Sequence, residues 1–135
     1  DFLSVTHNLQ DFNKLVLPEN NIKKTLSKIQ GRKIIYTNAP KTYTNKILKI
    51  SKIFELFDEI FTIEDSNFTP KPDQGMMDTF LKKYNISEGF FIDDVKENLF
   101  TAKNSGLTTI WITNEKNQPS FIDKKIEKIS DLLSL

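Results

Sequence analysis

The chain has 135 residues, a length that suits one domain with a hydrophobic core of its own. Its formal net charge is +1, and Arg32 is the only arginine among its 19 basic residues. Arginine is the side chain that most often contacts phosphate and guanine through two parallel hydrogen bonds, so this composition argues against a nucleic acid polymer as the partner. The absence of cysteine and the single histidine, His7, exclude disulfides, a thiolate nucleophile and zinc sites rich in either residue.

The sequence carries no signal for a membrane or for export. No apolar run approaches the roughly 20 residues that span a bilayer, and no basic stretch precedes an apolar one near Asp1. We therefore expect a cytoplasmic protein without a membrane partner. Because the chain does not begin with methionine, we also expect residues before Asp1 in the gene, or their removal.

Patterns typical of helices and strands alternate along most of the chain. Residues 1–17 have no sustained period, and we predict a short helical piece and a connector there, with the first long helix starting at Pro18. Apolar residues then recur at helical spacing in the segments 22–29, 43–50, 76–84 and 99–102. Short runs rich in β-formers predict strands at 33–36, 59–63, 90–92 and 108–112. This alternation predicts an α/β fold with a parallel sheet.

The third predicted strand, 90–92, runs directly into two adjacent carboxylates, Asp93 and Asp94. An apolar run without alternation suits a strand buried on both faces, and open parallel sheets bind ligands at the carboxyl ends of such strands. Two neighbouring carboxylates repel each other, and a hard cation such as Mg²⁺ relieves that repulsion. The alternative is structural: Asp94 and Glu97 have the spacing of a helix capping box, which explains Asp94 but not Asp93.

Two other polar groups occupy comparable places. Thr37 and Asn38 follow the first predicted strand, and Lys71 stands between Pro70 and Pro72 in the loop after the second. Taken alone, Thr37 is a strand-end residue whose hydroxyl bonds the next turn, and Lys71 is a solvated loop lysine. Together with the acidic pair, they supply the hydroxyl, turn amides, ammonium group and metal-binding carboxylates that hold a phosphoryl group.

The order and spacing of these groups resemble the haloacid dehalogenase superfamily. The segments similar to its second, third and fourth motifs are Thr37, Lys71-Pro72-Asp73, and Phe91-Ile92-Asp93-Asp94 followed by Asn98, Ala102 and Gly106. A narrower resemblance is to the pyrimidine 5′-nucleotidase-like branch of the superfamily. The segments that carry it are Asp1-Phe2, His7, 32–38 and 107–111. The resemblance covers residues 1–113.

The resemblance implies a fold, a cofactor and a reaction. The fold is a three-layer, Rossmann-like parallel sheet. Asp94 would coordinate Mg²⁺ directly, and Asp93 would do so directly or through a water. Thr37 and the backbone N–H of Asn38 would bind phosphate oxygens, while Lys71 would neutralise the nucleophile and the phosphoryl group. We therefore expect a Mg²⁺-dependent phosphatase of a small phosphate ester, with a nucleoside 5′-monophosphate as substrate and phosphoglycolate or another small phosphate ester as the alternative.

One motif of the superfamily is missing. Its nucleophile is the first Asp of a D-x-D motif, and no D-x-D occurs in these residues. We therefore expect the nucleophile to lie upstream, residues 1–17 to be the tail of the cap domain and its linker, and residues 18–135 to form the core without its first strand. Such a chain alone is expected to be inactive and to self-associate through an exposed sheet edge.

Three other kinds of protein share parts of this pattern of residues. A receiver domain also combines paired acids, a threonine and a Lys-Pro pair, but its acids come first, whereas here the order is Thr37, Lys71, Asp93. Dehalogenase chemistry occurs in the same superfamily, and Lys71 with the acidic pair does not exclude it. A non-catalytic fragment or interaction module of the same fold would carry the acids as helix caps.

Overall fold

A computed structural model describes residues 2–5 and 22–135, and in this part of the chain six parallel strands form one sheet. The order of the strands across the sheet is β3-β2-β1-β4-β5-β6. Their bounds are β1 Phe2–Val5, β2 Arg32–Tyr36, β3 Glu59–Phe61, β4 Phe90–Asp93, β5 Thr108–Ile112 and β6 Lys124–Ile126. The helices are α1 Ile22–Lys28, α2 Lys41–Ile50, α3 Gln74–Lys83 and α4 Lys96–Asn104, with 3-10 turns at Phe54–Leu56 and Ile129–Ser134.

Helices cover both faces of the sheet, because successive strand residues point to opposite sides. Ile35 of β2 belongs to a hydrophobic cluster with α1 and α2, whereas its neighbours Ile34 and Tyr36 belong to a second cluster with α3 and α4. Buried members of the first cluster include Leu26, Leu48, Ile92, Ile110 and Ile129, and those of the second include Phe61, Phe80, Phe91, Leu99 and Trp111. The predicted three-layer α/β fold is confirmed.

The predicted strands correspond to β2, β3, β4 and β5, of which β5 has the predicted bounds. The sequence did not predict β6, since two of its three residues are lysines, Lys124 and Lys125. Lysine is common on edge strands, where it discourages pairing with another chain. Short polar edge strands of this kind leave no apolar pattern.

An inner strand also lies where none was predicted. Phe2–Val5 pairs with β2 on one side and β4 on the other, with Leu3 opposite Phe90, so the described sheet has no gap between those strands. This corrects the expected absence of an inner strand. Four residues are too few to show a period, although Phe, Leu and Val are good β-formers. Phe2–Val5 thus belongs to the core sheet and not to the tail of a cap domain, which corrects the expected assignment of these four residues. Residues 6–17 lie outside the described residues, so the assignment of that segment stays a prediction, as does self-association.

The predicted stripe on residues 43–50 is partly wrong. Tyr43 and Ile50 of α2 are 37% and 62% exposed, and the buried face consists of Thr44, Ile47 and Leu48. The Thr44 hydroxyl donates to the carbonyl of Pro40 at 2.8 Å, so this polar side chain is satisfied within its own helix and can be buried.

Within residues 22–135, none of the helices has the length and apolar character of a membrane span.

Helix α4 is followed by a glycine that ends it. Gly106 has φ of +90°, a left-handed conformation that glycine adopts without steric cost. The amide of Leu107 donates to the carbonyl of Ala102 at 3.1 Å and that of Gly106 to Lys103 at 3.0 Å, which is the Schellman pattern. This turn directs the chain from α4 into β5.

A polar cluster fixes the start of β5 against the loop before β6. Asp123 accepts hydrogen bonds from the Thr109 amide at 2.8 Å and from Lys103 Nζ at 2.8 and 2.9 Å. Burial alone would raise the pKa of Asp123, but the bonds from Lys103 and Thr109 and the charge of Lys103 outweigh it and hold that pKa below its ordinary value. The ionised carboxylate therefore stabilises the folded chain.

We expect Asp123→Asn to lower the free energy of unfolding at pH 7 by about 0.5–1 kcal/mol, because the ion pair is partly exposed and screened. A carboxyl with a depressed folded pKa contributes its stability above its unfolded pKa and loses it as the pH falls through the folded value. The difference in the free energy of unfolding between wild type and Asp123→Asn should therefore become smaller below about pH 4. Urea unfolding at several pH values measures it, with Glu88→Gln as an exposed control. A difference that stays constant from pH 7 to acid would contradict the assignment.

Candidate active site

The carboxyl ends of β2 and β4 and the loop after β3 bring three predicted site residues to one edge of the sheet. Lys71 Nζ lies 3.2 Å from Asp93 Oδ2 and donates to the carbonyl of Tyr36 at 3.0 Å, one residue before Thr37. Parallel strands end at the same edge, which is why residues far apart in the sequence meet here.

Lys71 and Asp93 form a buried ion pair. Their side chains are 5% and 1% exposed, so Lys71 is not the solvated loop lysine of the alternative interpretation. The ring centroid of Tyr36 lies 5.2 Å from Lys71 Nζ, which adds a cation–π contact. Burying two charges is costly unless they are paired and hydrogen-bonded, and both conditions hold.

Asp93 is held from three sides. Its Oδ1 accepts the Val95 amide at 2.8 Å, and its Oδ2 accepts Asn98 Nδ2 at 3.1 Å in addition to Lys71. Helix α4 has Val95 at its N-cap position, with no side-chain capping bond. The capping box expected from Asp94 is therefore not formed, because the chain stays extended through Val95 and the Asp93 carboxylate accepts the amide there.

Asp94 lies next to the buried pair but is half-buried rather than enclosed. Its backbone carbonyl accepts the indole Nε1 of Trp111 at 3.0 Å, which fixes the main chain at the end of β4. The backbone of Asp94 therefore lies at the end of β4, on the sheet edge that also carries the Lys71–Asp93 pair.

Thr37 makes the turn contact that its alternative interpretation predicts. Its side chain is almost fully buried, its amide donates to the Phe61 carbonyl at 2.9 Å, and its Oγ1 accepts the Ala39 amide at 3.0 Å. A hydroxyl that accepts one bond still has its hydrogen to donate, so the turn contact does not exclude a bond to phosphate.

The loop that carries Lys71 is fastened at several points. Thr101 Oγ1 of α4 donates to the Pro72 carbonyl at 2.8 Å, and Asp73 caps α3 by accepting the Met76 amide at 2.8 Å. The loop thus has a fixed path between β3 and α3.

Tyr36 closes the apolar side of the site. Its ring packs against those of Phe61, Phe80 and Phe91, with centroids 4.5–6.3 Å apart. Burial, with a smaller contribution from the charge of Asp73, raises the pKa of its phenol. The hydroxyl has no hydrogen-bond partner among the described residues, so Tyr36 acts through its ring and its backbone carbonyl.

The carboxylates at the end of β4 are compatible with magnesium. The described part of the chain contains no group of three or more acidic or histidine side chains that could enclose a metal ion. Mg²⁺ is usually bound by only one or two carboxylates, with waters and substrate phosphates completing its shell, so Asp94 and Asp93 suffice in chemical type. Since Asp93 already accepts three hydrogen bonds, Asp94 is the better candidate for a direct ligand.

Of the predicted site residues Thr37, Lys71, Asp93 and Asp94, the structure brings Lys71 and Asp93 into contact, and their roles stay predictions. Sequence reasoning missed what the Asn38 side chain contacts. Asn38 Oδ1 accepts the Lys71 amide at 2.8 Å, and Asn38 Nδ2 donates to the Lys71 carbonyl at 3.4 Å. No local pattern predicts a contact between residues so far apart in the sequence.

Several solved structures share this fold. YfnB from Bacillus subtilis, in a structure bound to magnesium, aligns with a TM-score of 0.75 and 23% identity over 85% of this chain and 54% of its own. A phosphatase from Thermococcus onnurineus aligns with a TM-score of 0.69 and 22% identity, over 84% of this chain and 54% of its own. A dehalogenase solved with an intermediate complex has a TM-score of 0.75 and 20% identity, over 84% and 54%. The chain therefore spans about half the length of these proteins.

A search of curated proteins gives no match. The model of one protein family, described as haloacid dehalogenase-like hydrolase, matches residues 2–112, which includes the sheet edge with Thr37, Lys71, Asp93 and Asp94. Because this match covers most of the chain, the chain belongs to the haloacid dehalogenase-like hydrolase family.

Proposed function

We propose that this chain is part of a Mg²⁺-dependent phosphatase of small phosphate esters. The observation that carries the proposal is the buried Lys71–Asp93 pair, which lies at the sheet edge where β2 leads into Thr37 and β4 into Asp94. Phosphoryl transfer depends mainly on positioning and charge neutralisation, and this edge concentrates groups suited to both.

Each residue has a distinct proposed role. The Thr37 hydroxyl and the backbone N–H of Asn38 donate to phosphate oxygens. Lys71 neutralises negative charge on the phosphoryl group, and Asp94, with Asp93 beside it, holds Mg²⁺. The bound metal would supply further positive charge to the phosphoryl oxygens as the bond to the leaving group breaks.

The proposed reaction passes through an aspartyl-phosphate. A carboxylate attacks phosphorus and displaces the alcohol, and water then attacks the same phosphorus, releasing inorganic phosphate and restoring the carboxylate. No D-x-D occurs in these 135 residues, and β1 already fills the position between β2 and β4. We therefore propose that the attacking Asp comes from a segment outside these residues and not from a missing core strand. The substrate we propose is a nucleoside 5′-monophosphate, because the sequence of residues 32–38 resembles that of the pyrimidine 5′-nucleotidase-like branch.

Dehalogenase activity is the second candidate, because a dehalogenase is among the proteins of the same fold. That reaction displaces halide at carbon and gives no phosphate, whereas the proposed phosphatase requires Mg²⁺ and releases phosphate. The product and the metal requirement therefore separate the two candidates.

The test is a set of initial rates for the complete gene product, with and without Mg²⁺. We expect phosphate release from nucleoside 5′-monophosphates that requires Mg²⁺, with other small phosphate esters slower. Halide release from a 2-haloacid without metal, and no phosphate release from any ester, would overturn the proposal in favour of the second candidate. Release of neither product would favour a non-catalytic module of the same fold.

A further inference from the structure

Asn38 and Lys71 form a reciprocal bridge across 33 positions of the sequence. The Asn38 side-chain oxygen accepts the Lys71 amide at 2.8 Å, and its NH₂ group donates to the Lys71 carbonyl at 3.4 Å. Both backbone polar groups of one residue are thus bound by one side-chain amide. The pattern resembles a strand pairing in which a side chain replaces one of the backbones.

The bridge and the ammonium contact together hold Lys71 at both ends. Nζ is fixed by the Tyr36 carbonyl and by Asp93, while the backbone of Lys71 is fixed by Asn38. Tyr36 and Asn38 belong to one short segment at the end of β2. A lysine has a long and flexible side chain, so the place of its charge depends on fixing its backbone as well as its tip.

We propose that Asn38 is a positioning residue, which holds the backbone of Lys71 through its side-chain amide and so sets where Nζ lies relative to Asp93 and a bound phosphate. The assignment rests on the proposed function for its phosphate part and differs from the phosphate contact assigned to the Asn38 backbone N–H. Asn38 itself is exposed, whereas Lys71 is buried, so the bridge links a surface residue to a buried charge.

An alternative is that the bridge only stabilises the fold. Loss of a merely stabilising contact lowers the amount of folded protein but leaves the folded molecules unchanged. Loss of a positioning contact changes the position of the Lys71 side chain in every folded molecule. Hydrogen exchange of individual amides shows whether the bridge protects Lys71 and how local its loss is. Phosphate titration, which yields a stoichiometry and a Kd separately, then distinguishes a positioning contact from a merely stabilising one.

The experiment compares wild type, Asn38→Ala, Asn38→Asp and the exposed-loop control Asn114→Ala. Hydrogen exchange of the Lys71 amide is followed by NMR, with the amides of β5 as the internal reference. Losing one hydrogen bond of ordinary strength should speed exchange at Lys71 by about five- to tenfold in Asn38→Ala. Asn38→Asp keeps the acceptor for the Lys71 amide and should retain most of the protection, and Asn114→Ala should match wild type.

The complete gene product is then titrated with inorganic phosphate. We expect Asn38→Ala to weaken the Kd by about tenfold at unchanged stoichiometry, since a misplaced ammonium contributes less than a positioned one. Unchanged Lys71 exchange, or equally faster exchange at Lys71 and throughout β5, would overturn the assignment. If Lys71 exchange responds as expected but wild type binds no phosphate, the bridge is supported and the proposed function fails. If wild type binds phosphate and the variant binds it equally well, the assignment fails and the proposed function survives.

Discussion

Replacing Lys71 with methionine is expected to lower the free energy of unfolding by about 3 kcal/mol, because removing one partner of a buried ion pair leaves the other charge buried. Asp93 is 1% exposed and cannot move into water without opening the end of β4. Methionine keeps much of the aliphatic volume of lysine, so the expected loss comes from the charge. Urea unfolding at pH 7 measures it.

A double variant isolates the electrostatic cause. Lys71→Met with Asp93→Asn removes both charges and places a neutral side-chain amide beside Val95 and Asn98. Its oxygen can accept the Val95 amide and its NH₂ can donate to Asn98 once the Asn98 amide turns, so the double variant should recover most of the lost stability. A single variant within about 1 kcal/mol of wild type would contradict the buried ion pair. In the complete gene product, Lys71→Met should also reduce phosphatase activity by about 100-fold or more, since a cation aimed at the reacting group is lost.

Asp94→Asn is expected to remove most of the Mg²⁺-dependent rate of phosphate release, by about 100-fold or more at saturating substrate. Asparagine has nearly the same shape as aspartate but no negative charge, and Mg²⁺ depends on carboxylate ligands. Rates measured over a series of Mg²⁺ concentrations separate weaker binding from slower chemistry.

The matched control for this substitution is Glu88→Gln, which removes one carboxylate from an exposed loop. It should leave the Mg²⁺ response unchanged. Full activity in Asp94→Asn would reject the metal assignment.

The parts of the site that could be predicted from the sequence are those with a local signal. A non-alternating apolar run marks β4, and the two acids directly after it mark the edge where the site lies. Lys71 could be singled out because prolines flank it, and Thr37 because it follows a run of β-formers. Short-range patterns thus identified most side chains at the edge.

What could not be predicted depends on contacts between distant segments. The sequence suggested Asp94 as the helix cap, yet Asp93 accepts the Val95 amide, because the backbone stays extended for one residue longer than expected. The Asn38–Lys71 bridge joins two loops, and neither loop alone has a pattern that reveals it. Strands β1 and β6 have only four and three residues, too few for a period to appear.

The most direct test of the central claim, that this sheet edge is a magnesium-coupled phosphate site, is isothermal titration of the complete gene product with inorganic phosphate, in the presence and absence of Mg²⁺. We predict binding of one phosphate per chain, tightened by Mg²⁺ in wild type, insensitive to Mg²⁺ in Asp94→Asn, and greatly weakened in Lys71→Met. Absence of phosphate binding by wild type with Mg²⁺ present, or binding that Lys71→Met leaves unchanged, would contradict it.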